Sequence, residues 1–321
     1  MLGFFALFTI FANTKSKHMN KHTFGQWVFA LRPWSIPASA MPIIVTLAYL
    51  FFKGSEINWL LGVWTLIGMI LFHLAGNVWS DYFDYKKKVD AEDTFGAKTL
   101  TTGMFQPNEI LRLAIVLLCV SILSGLGLFA VTYFGGYGLD LLWIGLAGVA
   151  LTMAYPLLKY NALGDLDILL TFAVLPTLGT SFTAAGAIDW SVLFIALPVG
   201  LITDGILHSN NTRDTESDGR ANIKTMAMGL GTKASALLYG FEVVFPFAWI
   251  TALSFIGILP YTTVLIFLTL PIAFGCAKTM MNSTVGGRQM IADLDVRTAN
   301  LQLLFSLLLT VGLIVGKFIG A

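Results

Sequence analysis

Long apolar runs broken by short polar stretches dominate this chain. They lie near 34–52, 59–80, 110–132, 139–157, 166–187, 190–210, 234–257, 261–281 and 299–319. At a rise of about 1.5 Å per residue, roughly 20 apolar residues cross about 30 Å of hydrocarbon. Each run therefore predicts a membrane-spanning helix. The expected fold class is an all-α polytopic membrane protein with nine transmembrane helices. The two longest polar connections, 81–109 and 211–233, leave no room for a soluble domain. The expected organisation is an N-terminal cytoplasmic or interfacial segment, 1–33, followed by one transmembrane domain, 34–321.

Composition agrees with the pattern. Hydrophobic residues make up 56% and charged residues 12%, against about 25% charged in soluble domains. The net charge of +1 says nothing about nucleic acid, and no basic run with interleaved aromatics argues for such a partner; none is expected. Cys119 and Cys276 both sit inside apolar runs and read as small core residues. With the N-terminus inside and nine spans threaded, every Lys and Arg except Lys53 and Lys317 falls on the cytoplasmic side. The polar clusters then face the cytoplasm too. Residues 3–12 are apolar but too short to span, and no basic segment precedes them. They read as an interfacial anchor, or Met19 is the true start.

Chemistry concentrates in two acidic clusters at the ends of apolar runs. One is Asn77-Val-Trp-Ser-Asp81-Tyr-Phe-Asp84, continuing to Asp90; the other is Asn210-Asn211-Thr-Arg213-Asp214-Thr-Glu216-Ser-Asp218. Both open with Asn and place Asp four residues later. On a helix, Asn77, Asp81 and Asp84 share a face, as do Asn211, Asp214 and Asp218. A solvated helix end explains one such cluster; a matched pair points to a divalent metal. Carboxylate and amide oxygens suit Mg²⁺, which commonly completes its shell with phosphate oxygens. Lys98, in Gly96-Ala-Lys98-Thr, Arg213 and Lys224 are placed to meet remaining anionic oxygens. Lys86, Lys87 and Lys88 read instead as contacts to an anionic membrane surface.

Other polar residues admit two readings. Tyr155, near Lys159 at the end of the fourth run, either lines a pocket or is an interface aromatic. Asp165 and Asp167 open the fifth run, where a carboxylate complements the helix dipole. Capping explains Asp167 better than catalysis does, and Asp165 equally well. Asp204 and His208, i and i+4 within the sixth run, either pair with each other or reach an organic substrate. His73, one turn before Asn77, is a weaker case of the same kind.

These residues resemble the UbiA-type membrane prenyltransferases. The likeness runs from Arg32-Pro33 to Asp295-Val-Arg297-Thr-Ala and rests on Asp81-Tyr-Phe-Asp84 and Asp214-Thr-Glu-Ser-Asp218. Within that superfamily the chain looks most like the 1,4-dihydroxy-2-naphthoate polyprenyltransferases of menaquinone biosynthesis. Trp27, Leu31-Arg32-Pro33-Trp-Ser-Ile-Pro37, Leu163-Gly164-Asp165, Lys224-Thr225 and Gly229-Leu-Gly231 carry that likeness. It departs from the usual pattern at Ser80, Lys88, Asp165, Asp204 and His208. The resemblance implies transfer of a polyprenyl group from a polyprenyl diphosphate to an aromatic acceptor in the cytoplasmic membrane. Asn77, Asp81, Asp84, Asp214 and Asp218 would hold Mg²⁺. Lys98, Arg213, Lys224, Asn210, Asn211, Asp204 and His208 would contact the substrates, with Tyr155 beside the reacting centre. Related acceptors are 4-hydroxybenzoate, homogentisate and haem. A transporter is the rival class, but transporters tend to place their sites near the bilayer midplane, and here the clusters stand at helix ends.

Overall fold

The computed structural model describes residues 22–89 and 98–320. The expectations for residues 1–18, for Met19 as a start, and for Asp90 and Gly96 lie outside the described residues. Twelve helical segments follow one another among these residues: α1 (Phe24–Ala30), α2 (Pro33–Lys53), α3 (Trp59–Lys86), α4 (Pro107–Phe134), α5 (Asp140–Lys159), α6 (Gly164–Ala185), α7 (Trp190–Arg213), α8 (Thr215–Arg220), α9 (Met226–Leu230), α10 (Thr232–Phe255), α11 (Tyr261–Gly286) and α12 (Arg288–Ile319). Nine of them, all but α1, α8 and α9, are long and apolar enough to cross a membrane. The all-α architecture and its nine spans are thus as expected. The chain is an integral membrane protein.

Local signals set the helix ends. Thr23 and Gln26 form a reciprocal capping box on α1, and Gln106 and Glu109 form another on α4, whose first residue is Pro107. Asn58 caps α3, and Gly54 ends α2 with a left-handed φ of 80°. Two helices run past the apolar pattern that predicts them. α3 continues beyond 80 to Lys86, and α7 beyond 210 to Arg213. Both acidic clusters therefore begin on helix rather than in loop. The second connection is also not open loop, because α8 and α9 occupy much of it.

α6 is irregular where it matters. Its turns widen to π-helical spacing over Leu169–Val174, immediately before Pro176. Proline lacks the N–H that would bond four residues back, and a widened turn absorbs that defect. At this level α6 and α7 come very close, since a Cβ built on Gly200 would lie 2.5 Å from the Ala173 Cβ. On the opposite flank α12 meets the start of α11 just as tightly. There Gly312 and Gly316 press on Thr262, Thr263 and Pro260, and the Thr262 hydroxyl donates to the Gly312 carbonyl at 2.5 Å. Small residues spaced by four are the usual means of such approach between membrane helices. The main core joins α2, α6, α7, α10, α11 and α12. A second cluster, with Val78, Leu100, Phe105 and Ile110 packed around Ala30, holds α1 against α3 and α4.

Candidate active site

A cavity of about 600 Å³ is enclosed by residues of α2, α3, α4, α5, α6, α7 and α12. Along α3 its lining follows helical spacing: Trp64, Gly68, Phe72, His73, Asn77, Ser80 and Asp84. One end is polar and the rest apolar. The polar end collects Arg32, Asn77, Asp84, Tyr155, Lys159, Asp167, Asn210, Asn211, Arg213, Asp214, Asp218 and Asp295. The two acidic clusters, far apart in sequence, thus meet across one space.

Four carboxylates at or beside this end have a cationic partner: Asp81 and Asp84 are buried, Asp214 and Asp295 half-buried. Asp84 accepts from Lys159 Nζ at 3.0 Å, from the Tyr160 hydroxyl at 2.7 Å and from the Ser80 hydroxyl at 3.3 Å. Asp81 is bound by Arg32 Nη2. Arg32 holds a left-handed backbone conformation, φ 53°, just before Pro33. A non-glycine residue pays for that geometry, which recurs at functional sites. Arg213 makes a two-pronged contact with Asp214, at 3.0 and 2.9 Å, and reaches Asp295 at 3.2 Å. Buried charges persist only with such partners.

The expected site residues divide accordingly. Asn77, Asp84, Tyr155, Asn210, Asn211, Arg213, Asp214 and Asp218 line the cavity. Asp81 stands behind the wall, touching it through Arg32. Lys98 and Lys224 are exposed and absent from the lining. The Lys224 N–H donates to the Tyr160 carbonyl at 3.0 Å, tying the second polar connection to the end of α5. Asp204 and His208 do not line the cavity either, nor do they bond to each other. The cavity-facing stripe of α7 is Thr203, Leu207, Asn210 and Asp214. Asp204, His208 and Thr212 form the adjacent stripe, turned toward α10. There His208 Nδ1 lies 3.0 Å from Glu242 and 3.7 Å from Asp165, and Nε2 lies 2.8 Å from the Ser235 hydroxyl, which also meets Thr212 at 2.8 Å. Of the two carboxylates at the start of α6, Asp165, left open between capping and catalysis, faces this network, whereas Asp167, expected to be a cap, lines the cavity.

Sequence reasoning left Arg32, Tyr160, Glu242 and Asp295 without a site role. Glu242 had a visible signal, a lone carboxylate inside an apolar run. For the others only tertiary proximity reveals the role.

The donor set is all hard oxygen, which fits Mg²⁺. Among the described residues no three His, Cys, Asp or Glu side chains stand close enough to share one ion. A Mg²⁺ ion here would take one or two of Asp84, Asp214 and Asp218, with the amide oxygens of Asn77 and Asn211 nearby. Its remaining positions would go to other oxygens.

The UbiA prenyltransferase family model matches residues 39–291. UbiA prenyltransferase domain-containing protein 1 of Xenopus tropicalis is 33% identical over 300 residues, covering 90% of this chain and 81% of the relative. Its Homo sapiens counterpart is 32% identical over 301 residues, covering 90% and 83%. Among solved structures, a UbiA homolog from Aeropyrum pernix K1 superposes with a TM-score of 0.64 at 15% identity, covering 87% of this chain and 97% of the other. A UbiA homolog from Archaeoglobus fulgidus bound to GPP and Mg²⁺ gives 0.55 at 12% identity, covering 88% and 99%. Nine apolar helices, two acidic clusters meeting at one cavity and a family match across most of the sequence agree: the chain belongs to the UbiA prenyltransferase family.

Proposed function

We propose that this protein transfers a polyprenyl group, with Mg²⁺, from a polyprenyl diphosphate to an aromatic acceptor. We propose 1,4-dihydroxy-2-naphthoate as that acceptor, with loss of CO₂, in menaquinone biosynthesis. The reaction would take place in the cytoplasmic membrane with the site facing the cytoplasm. One observation carries the reading: a single cavity joins the two acidic clusters to a long apolar channel. A polyprenyl diphosphate has the same division into a charged head and an apolar tail. The Archaeoglobus fulgidus homolog bound to GPP and Mg²⁺ supports the same substrate class. For the naphthoate the support is the sequence likeness around Arg32-Pro33, Asp81 to Asp84 and Asn210 to Asp218.

The residues divide the work. When bound, Mg²⁺ supplies charge stabilisation to the departing diphosphate. Arg32, Lys159 and Arg213 line the same end and present cationic donors to its remaining oxygens. Tyr155 lines the wall one helical turn before Lys159, where an aromatic ring can stabilise a developing allylic cation. The apolar lining excludes water from that cation.

The test uses the purified full chain in detergent, Mg²⁺ and a set of prenyl diphosphates. 1,4-Dihydroxy-2-naphthoate and 4-hydroxybenzoate are offered in competition, and products are read by mass. A prenylated naphthol that has lost CO₂ is the expected product. A prenylated hydroxybenzoate would keep the reaction and change the acceptor. Asp84→Ala and Asp214→Ala should each lose most of the turnover; near-normal rates would contradict the assignment.

A further inference from the structure

Asp167 is a cavity carboxylate outside both acidic clusters and, unlike Asp295, has no ion-pair partner among the described residues. It is 3% exposed and lines the cavity, and its Oδ1 has no hydrogen-bond partner among the described residues. Each other carboxylate of known contact at the polar end has a cation beside it: Arg32 for Asp81, Lys159 for Asp84, Arg213 for Asp214 and Asp295. Asp167 stands in the first turn of α6, where its charge also complements the helix dipole, but the N-cap position is Leu163 and Asp167 is not the capping residue. Directly after Asp167 the turn widens into the π-helical stretch Leu169–Val174, a feature common at functional sites. Thr171 and Phe172 of that stretch also line the cavity. On α7 another acceptor, the Asn210 Oδ1, is shielded from solvent and without a partner in the same cavity; a third, Asp295 Oδ1, belongs to a carboxylate already paired with Arg213.

Two buried oxygens that accept and have nothing to accept from are complementary to a ligand that brings hydroxyl donors. We propose that Asp167 is the base for the acceptor, taking the proton of an aromatic hydroxyl next to the carbon that is prenylated, and that Asn210 accepts a hydrogen bond from the same ring's polar substituent. This rests on the prenyl-transfer reading above and names the part of the site that meets the second substrate. As the allylic C–O bond breaks, its electron pair leaves with the diphosphate. The ring carbon supplies the pair for the new C–C bond, the hydroxyl oxygen becomes a carbonyl, and its proton passes to the Asp167 carboxylate. The ring carbon then loses its carboxylate as CO₂, the electron pair of that C–C bond makes the ring aromatic again, and Asp167 returns the proton to the oxygen.

The experiment compares wild type with Asp167→Asn and Asp167→Ala, using geranylgeranyl diphosphate, Mg²⁺ and a panel of hydroxylated benzoates and naphthoates. The asparagine keeps the size and can still hold a hydroxyl, but it cannot take the proton. Expected for both variants is a fall in kcat of about a hundredfold or more, the usual scale for a lost general base. The KM for the prenyl diphosphate should stay within about threefold, which also shows that the variants fold. Turnover retained within threefold by Asp167→Asn would overturn the proposal. A KM for the diphosphate that rises in step with the lost rate would overturn it as well, by moving Asp167 to the diphosphate end. If wild type releases diphosphate but prenylates no member of the panel, the aromatic-acceptor reading itself fails, and this assignment fails with it.

Discussion

Lys88 follows α3 in a left-handed conformation, φ 60°, with its N–H reaching the Tyr85 carbonyl and the Val89 N–H reaching that of Asp84. That turn is the one glycine usually supplies after a helix, because a side chain there costs about 1–2 kcal/mol. Glycine loses about half of the gain through the entropy of the unfolded chain. Lys88→Gly should therefore stabilise by roughly 0.5 kcal/mol, or about 1–2 °C in melting temperature, without changing turnover. A thermal shift in detergent checks it. His208 leads to the opposite expectation. Its ring holds Glu242 and Ser235 together in a fully buried network outside the cavity. His208→Leu strands those partners and should cost about 1–3 kcal/mol. The KM for the prenyl diphosphate should stay within twofold; a large rise in that KM would bring His208 back to the substrate. Residue by residue, the ends of the two clusters were legible because like residues recur at helical spacing. The roles of Asp165 and Asp167 were not, because two neighbours on one helix face opposite ways and only packing decides which way is inward.

At the scale of helices, hydropathy located every span but not where the helices stop. Apolar character fades before α3 and α7 end, since the last turns carry Asp84 and Arg213 into a polar space that is inside the protein rather than in bulk water. The end of α2 and the turn from α6 to α7 are joined by a polar knot. Lys53 Nζ lies 2.5 Å from Asp189 and 2.9 Å from the Ser191 hydroxyl, and Asp189 caps α7 by accepting from the Ser191 N–H at 2.9 Å. Partial burial pushes the Asp189 carboxyl up, but the bonds from Lys53 and Ser191 outweigh it, so its pKa falls below the usual value. A carboxyl depressed on folding stabilises above its unfolded pKa, about 3.9, and loses that contribution as pH falls through the lower folded value. Asp189→Asn should therefore cost up to about 1 kcal/mol at neutral pH, as expected for a partly exposed pair. The difference from wild type should shrink as pH falls below about 4. Melting curves of both proteins between pH 3 and 7 check it, and a constant difference across that range would point to lost packing instead.

Across the whole molecule, the cavity reads as a ruler. Its lining on α3 runs from Asp84 to Trp64, 20 residues and so about 30 Å along the helix axis. Trp64, bonded through its indole N–H to the Ser124 hydroxyl at 3.0 Å, stands at the end farthest from the carboxylates. On the facing α5, Gly148 and Gly145 line the cavity, and a Cβ at either meets nothing within 4 Å. Counted back from Lys159, they lie about 16 and 21 Å from the polar end along the helix. A leucine at either position would project into open channel without disturbing the diphosphate end. If the prenyl tail lies along this channel, Gly145→Leu should exclude the longest chains first and Gly148→Leu should shorten the limit further. Each should lower kcat/KM for blocked substrates by about tenfold or more, since one lost or clashing apolar contact is worth 1–3 kcal/mol. Geranyl diphosphate, which fits short of both positions, should react at close to the wild-type rate. Competition among prenyl diphosphates of increasing length, read by product mass, tests this. A stepwise shift of the cutoff from Gly145→Leu to Gly148→Leu would fix both the path and the direction of the tail. No loss at any length would mean that the tail leaves the bundle sideways, between helices, before it reaches α5's glycines, and an equal loss at every length would mean that the leucine disturbs the bundle itself.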